Sequence, residues 1–235
     1  MYGMRYGMYY DPTYILVIIA FLLTMFASFG VNSTFKKYSG VSNARGLTAF
    51  DAARKILDSF GLHNIKIERV SGNLTDHYDP RAGVLRLSDS TYMSTSVAAI
   101  GVAAHEAGHA IQHSIGYVPI KVRNAIVPVV NIGSTLSMPV FFIGLILGMY
   151  KLAILGAILF GGVLVFQLVT LPVEFDASRR ALKILNESDM LYGKELTYAR
   201  RVLTAAALTY VAAVASTALQ LLRLLMIANR NRRND

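Results

Sequence analysis

Four long apolar runs constrain this chain more than any other feature of its sequence. Tyr14 to Val31 carries no charged residue, Ala125 to Met149 and Leu152 to Leu171 are parted only by Tyr150-Lys151, and Val202 to Ala228 is interrupted only by Arg223. A helix needs roughly 17–25 apolar residues to cross a hydrocarbon core, and each run meets that length. No water reaches the peptide groups there, so each run must close its hydrogen bonds internally, as a helix. With 54% hydrophobic residues the 235-residue chain is too apolar for an ordinary soluble domain.

The runs divide the chain. Residues 1–31 form a tail and a first transmembrane anchor, with the tail's tyrosines suited to a headgroup-level belt. A cleavable signal peptide is the competing reading. Against it stand a thin basic n-region, a long apolar stretch and no clear small-x-small cleavage site before Lys36-Lys37. Residues 32–123 have the composition of a small globular domain. Thr48 and Asp51 are spaced as a capping box, and Phe50, Ala53, Leu57 and Phe60 recur at helical spacing before the Gly61 stop. Ile65 to Glu68 and Val84 to Ser88 alternate as strands, the second following the Asp79 to Gly83 turn and expected at the edge of a short sheet. Residues 124–171 form an antiparallel transmembrane hairpin, kinked at Pro128 and Pro139. Residues 172–201 return to polar composition as a loop, and 202–235 make a fourth transmembrane helix with a basic tail.

Within the globular part, His105-Glu106-Ala107-Gly108-His109 ends the apolar run that starts at Val97. On a helix, expected over about 94–114 and capped by Ser94 or Thr95, His105 and His109 lie one turn apart on one face, where two imidazoles can hold one ion. Burying three ionisable groups on an apolar helix without a partner would be costly, and a metal removes that cost. Glu106 is aimed beside the ion, placed to act as general base toward water. Four spans put 32–124 and 172–201 on the same side of the membrane, so the third ligand should come from the returning hairpin. Glu174 is offered there, with Asp176 as the fallback. His113 shares the face of His105, but the rise of about 12 Å between them is too long for both to touch one ion. It is expected as a support, a substrate contact or a plain surface residue. Tyr78 or His77, in the polar cluster Asp76 to Asp79, could donate to an oxyanion or simply form a solvated turn. His63 is expected to be an ordinary exposed histidine.

The formal charge of +9 does not point to nucleic acid. Basic residues sit beside the apolar runs, as at Lys36-Lys37, Arg179-Arg180, Arg200-Arg201 and Arg230 to Arg233, instead of forming a stripe with interleaved aromatics. Their excess on the domain side places that domain in the cytoplasm. The absence of cysteine excludes disulfides and thiolate zinc sites.

Taken together, Gly46-Leu47-Thr48, His77-Tyr78-Asp79-Pro80, Leu87-Ser88, the stretch Ala103 to Gln112, and Pro172 to Leu182 resemble the YugP-type neutral zinc metallopeptidases of bacterial membranes, over nearly the whole chain. More distantly, the order of zinc helix, apolar hairpin and glutamate is similar to the HtpX-type and CAAX-prenyl membrane proteases. The resemblance implies a bacterial cytoplasmic-membrane zinc peptidase with His105, His109 and Glu174 as ligands and Glu106 as base. Those proteases carry aspartate four residues after the ligand glutamate, and this chain has Ser178.

The expected protein is therefore an α-helical membrane protein of four transmembrane helices with a small α+β zincin-like domain, gluzincin-like in its ligands. It holds one Zn2+ and hydrolyses peptide bonds of a protein or peptide substrate at the bilayer surface. An extended substrate could add as a strand beside 84–88. Two other readings compete: a membrane scaffold or regulator with a structural zinc, and hydrolysis of a non-peptide amide.

Overall fold

The computed structural model describes residues 11–232. The tyrosines and Arg5 of the tail 1–10, and residues 233–235 of the basic tail, lie outside the described residues. The order of elements is α1 (Tyr14–Ser39), α2 (Ala49–Ser59), β1 (Lys66–Val70), β2 (His77–Asp79), β3 (Val84–Ser88), α3 (Val97–Ser114), α4 (Val118–Ile146), α5 (Tyr150–Glu187) and α6 (Lys194–Arg232). Helices α1, α4, α5 and α6 are long and apolar enough to cross a membrane.

The chain forms α2 because Thr48 and Asp51 close a reciprocal capping box, the Thr48 hydroxyl accepting from Asp51 N and the Asp51 carboxylate accepting from Thr48 N. The buried side chains of α2, Ala49, Ala52, Ala53, Ile56 and Leu57, pack against α3. The start of α3 differs from the expectation of Ser94 or Thr95. Ser96 is the cap, its Oγ accepting from Ala99 N at 3.1 Å, while Ser94 Oγ accepts from Ser96 N.

The sheet corrects two expectations. Its order is β1-β3-β2, with β1 parallel and β2 antiparallel to β3. Val84–Ser88 is thus the central strand, and no substrate can add beside it. Burial explains this, because Val84, Leu85, Leu87 and Ser88 are all buried, as suits a strand covered on both sides. Residues 77–79, expected as a polar cluster or turn, form the edge strand β2, held by pairs from His77↔Arg86 to Asp79↔Val84.

The returning segment also differs from a loop. Helix α5 runs unbroken through Pro172 to Glu187. A proline inside a helix costs roughly 3 kcal/mol, but Val173, Ala177, Ala181 and Leu185 recur every fourth residue and are all fully buried. That buried stripe offsets the lost hydrogen bond. Likewise α1 continues past the apolar run to Ser39, burying Phe35 and Tyr38 and placing Lys36 and Lys37 in its last turn, where the helix dipole favours them.

One core therefore joins the globular part to the ends of the long helices: Ile56, Leu57, Leu85, Leu87, Ile100 and Ile111 pack in the same cluster as Leu185, Leu191, Val202 and Leu203. Helix α3 sits within it on glycines. A side chain at Gly101 would meet Ala199 of α6 at 3.3 Å, and one at Gly108 would meet the carbonyl of Ala177 of α5 at 2.9 Å. Deeper in the apolar part, Gly144 and Gly156 allow α4 and α5 to touch backbone to backbone. Arg223, the one charge in the last apolar run, is met by the start of α1: its guanidinium lies 3.9 Å from Asp11, 3.3 Å from the Thr13 hydroxyl and over the Tyr14 ring.

Candidate metal centre

The face of α3 that is not packed carries His105 and His109, with His113 at its exposed end. Opposite, Glu174 projects from α5 and is 4% exposed. The two elements approach this closely because Gly108, next to His109 and three residues from His105, lies against Ala177, three residues from Glu174.

Three atoms converge. His105 Nε2 and His109 Nε2 are 3.2 Å apart, and Glu174 Oε2 lies 3.3 Å and 3.5 Å from them. A tetrahedral zinc ion with ligand bonds of about 2.0–2.1 Å separates its ligands by about 3.3 Å. Glu174 Oε2 is buried and has no hydrogen-bond partner. These three residues form a group able to hold a metal.

The other nitrogens of the rings decide which atoms face the gap. Gln112 Nε2 donates to Val173 O at 2.8 Å and to Asp176 Oδ2 at 2.8 Å. Both are acceptors, so the amide orientation is settled and its Oε1 faces His109 Nδ1 at 3.0 Å. That nitrogen must be the donor, which leaves the Nε2 lone pair of a neutral His109 pointing at the gap. His105 Nδ1 is 3.0 Å from Ser178 Oγ, which accepts its proton in the tautomer that frees Nε2. Two lone pairs and a carboxylate oxygen facing one another repel unless a cation lies between them, and the donor set of two imidazoles and a carboxylate suits zinc. Within the protein alone, a proton fills part of that role. Burial alone would lower the His109 pKa, but the facing carboxylate of Glu174 and that of Glu106 outweigh it and raise it above the ordinary imidazole value.

Glu106 lies beside this triangle, 9% exposed. Its Oε2 accepts from Tyr78 N at 3.0 Å, so the backbone of β2 holds the carboxylate in place. Asp76 anchors the start of β2 by accepting from Ser88 N and the hydroxyls of Ser88 and Thr91.

A cleft of about 180 Å³ opens over the triangle, bordered by Tyr78, Glu106, His109, His113, Glu174 and Tyr210 among others. His113 is absent from the converging group and packs edge-on against Tyr78, ring centroids 6.2 Å apart. Tyr78 keeps its phenolic proton to higher pH than usual, through burial first and the neighbouring Asp79 second. His77 stands at the rim, its Nδ1 on Thr75 O at 2.9 Å and its Nε2 near Arg86. Asp176, the fallback ligand, is bound instead to Gln112 and, at 2.6 Å, to Arg180. His63 pairs with Asp58 at the exposed end of α2.

Three contributors are not evident from spacing. Ser178 occupies the position where the more distant proteases carry aspartate, and its hydroxyl reaches His105. Tyr210 comes from the middle of α6 and borders the cleft together with Glu174. Arg123 from α4 also borders the cleft. A phenol within an apolar run was the available signal for Tyr210, but nothing in the run's period says which way it faces.

The profile of the family described as "Putative neutral zinc metallopeptidase" matches residues 13–229. A relative from Bacillus subtilis (strain 168), "Putative membrane protease YugP", is 46% identical over 212 residues, covering 90% of this chain and 94% of the relative. No solved structure matches the chain.

Proposed function

The chain belongs to the neutral zinc metallopeptidase family, and from that premise we propose that it is a zinc-dependent endopeptidase of the bacterial cytoplasmic membrane, its cleft facing the cytoplasm. The observation that carries the reading is the triangle of His105, His109 and Glu174, its edges 3.2–3.5 Å, with Glu106 held beside it.

His105, His109 and Glu174 would hold the ion. A zinc ion so held lowers the pKa of water to about 7 and polarises a carbonyl oxygen. Glu106 is the general base. One of its oxygens is pinned by the Tyr78 amide, which leaves the other to take a proton from the attacking water and pass it to the departing amine. Tyr78, His113, Arg123 and Tyr210 border the space above and offer donors to the charge that develops on the carbonyl oxygen. Tyr78 suits this role because it stays protonated.

The substrate is a protein or peptide segment that can be extended in the cleft. With β3 central, β2 is the sheet edge that borders the cleft, and an extended segment lies along it while the Tyr78 amide stays with Glu106. A second cavity, beyond Glu106 and sharing Asp76 and Tyr210 with the first, is bordered by Val31, Val102, Leu203 and Ala206. Residues on one side of the scissile bond thus meet a more apolar wall than those on the other.

The test uses purified full-length protein with Glu106→Gln. The variant should hold zinc in the same ratio as the wild type and lose roughly 10²–10⁴-fold in cleavage of an unstructured polypeptide. Unchanged cleavage rejects the proposal. A wild type that is fully zinc-loaded yet cleaves no unfolded protein favours a structural zinc instead.

A further inference from the structure

A groove between the C-terminal part of α5 and the start of α6 plays no part in the proposed chemistry. It measures about 640 Å³ and is bordered by Arg179, Lys183 and Arg200 together with Phe175, Leu182 and Leu203. No acidic side chain borders it. Among the described residues Arg179 and Arg200 have no hydrogen-bond or ion-pair partner. Lys183 has only Glu187, 3.8 Å away, both side chains well exposed at 70% and 63%. Such a surface pair contributes little and leaves the ammonium available.

The order of these groups along the helices is what gives the groove its character. The cations stand on the polar ends of α5 and α6, just beyond the apolar runs 152–171 and 202–228. Phe175, 41% exposed and on the side nearer the membrane core, continues the groove as apolar surface over the buried Leu203 and Ala207. Arg200 also borders a neighbouring groove with Lys37 and Arg201, so positive charge extends round α6 at one level. A free phosphate would use only the charged half.

We propose that this groove binds an anionic glycerophospholipid, its phosphate between Arg179 and Arg200 and an acyl chain along the exposed Phe175. Guanidinium forks match phosphate oxygens in pairs, and Lys183 adds a third charge. The proposal rests on the membrane-spanning helices and not on the peptidase reading. It has one point of contact with the metal centre: Ser178 borders the groove and holds His105.

The full-length protein is reconstituted in phosphatidylcholine bilayers with and without phosphatidylglycerol, extracted in mild detergent, and its retained lipid read by native mass spectrometry. The wild type should retain phosphatidylglycerol in preference to phosphatidylcholine. The triple variant Arg179→Gln, Lys183→Gln, Arg200→Gln should bind it more weakly by on the order of a hundredfold. A control removing equal charge elsewhere at the membrane edges, Lys36→Gln, Lys121→Gln, Lys151→Gln, should bind as the wild type does. No preference for phosphatidylglycerol in the wild type overturns the proposal without reference to any variant. So does an equal loss in both triple variants, or displacement of the lipid by low concentrations of inorganic phosphate, which would mark a free-anion site.

Discussion

At the scale of single residues, the candidate metal centre depends on which imidazole nitrogen is free. Gln112 settles this for His109, because its amide nitrogen is committed to Val173 O and Asp176. Ser178 performs the corresponding service for His105 with a neutral hydroxyl. Residues that orient a ligand imidazole are typically worth 10–100-fold in metal affinity. Ser178→Ala should therefore weaken zinc binding by about that factor in a chelator competition, and Ser178→Asp should restore it. Protons compete with zinc for His109, whose pKa is raised, so zinc affinity should begin to fall while the pH is still above the ordinary imidazole value. The metal-free protein responds in the opposite sense. A group whose folded pKa is raised stabilises the fold fully below its unfolded pKa, and that contribution is lost as pH rises through the folded value. Thermal melts across this range should show zinc-free stability falling with rising pH while zinc-loaded stability rises.

At the scale of elements, the site is set by how near α3 comes to α5. Gly108, next to His109, lies against the carbonyl of Ala177, three residues from Glu174. A methyl group at 108 would stand 2.9 Å from that carbonyl, and the contact is with backbone, which cannot rotate away. Gly108→Ala should destabilise the protein by about 1–3 kcal/mol and widen the gap between Glu174 and the imidazoles. Loss of zinc at concentrations that saturate the wild type, measured by metal analysis after gel filtration, checks this. Gly101→Ala on the preceding part of α3 comes to 3.3 Å from the Ala199 side chain and no nearer than 3.6 Å to its backbone, and should retain zinc, which separates a loosened helix from a spoiled site. The short strand β2 acts at this scale as well, because its backbone, not a side chain, fixes Glu106.

At the scale of the whole molecule, the globular and membrane parts are one unit. The cluster around Ile100 and Ile111 includes Leu185, Leu191, Val202 and Leu203 from α5, α6 and their connection, and Glu174, the candidate third ligand, comes from α5. A fragment spanning residues 32–123 lacks all of these. It should neither bind zinc with the affinity of the full chain nor show a cooperative melt, and circular dichroism with metal titration would decide the point. The spans, the capping box at Thr48, the spacing of His105 and His109, and Glu174 as a candidate are each visible in the sequence, because all follow from short periods or from runs of one chemistry. The position of β3 at the centre of the sheet, the passage of α5 through Pro172, the hydroxyl of Ser178 on His105 and the arrival of Tyr210 are not. They depend on which buried faces meet across long stretches of chain. A local pattern says which face of a helix must be hidden, and only the packed molecule decides what hides it.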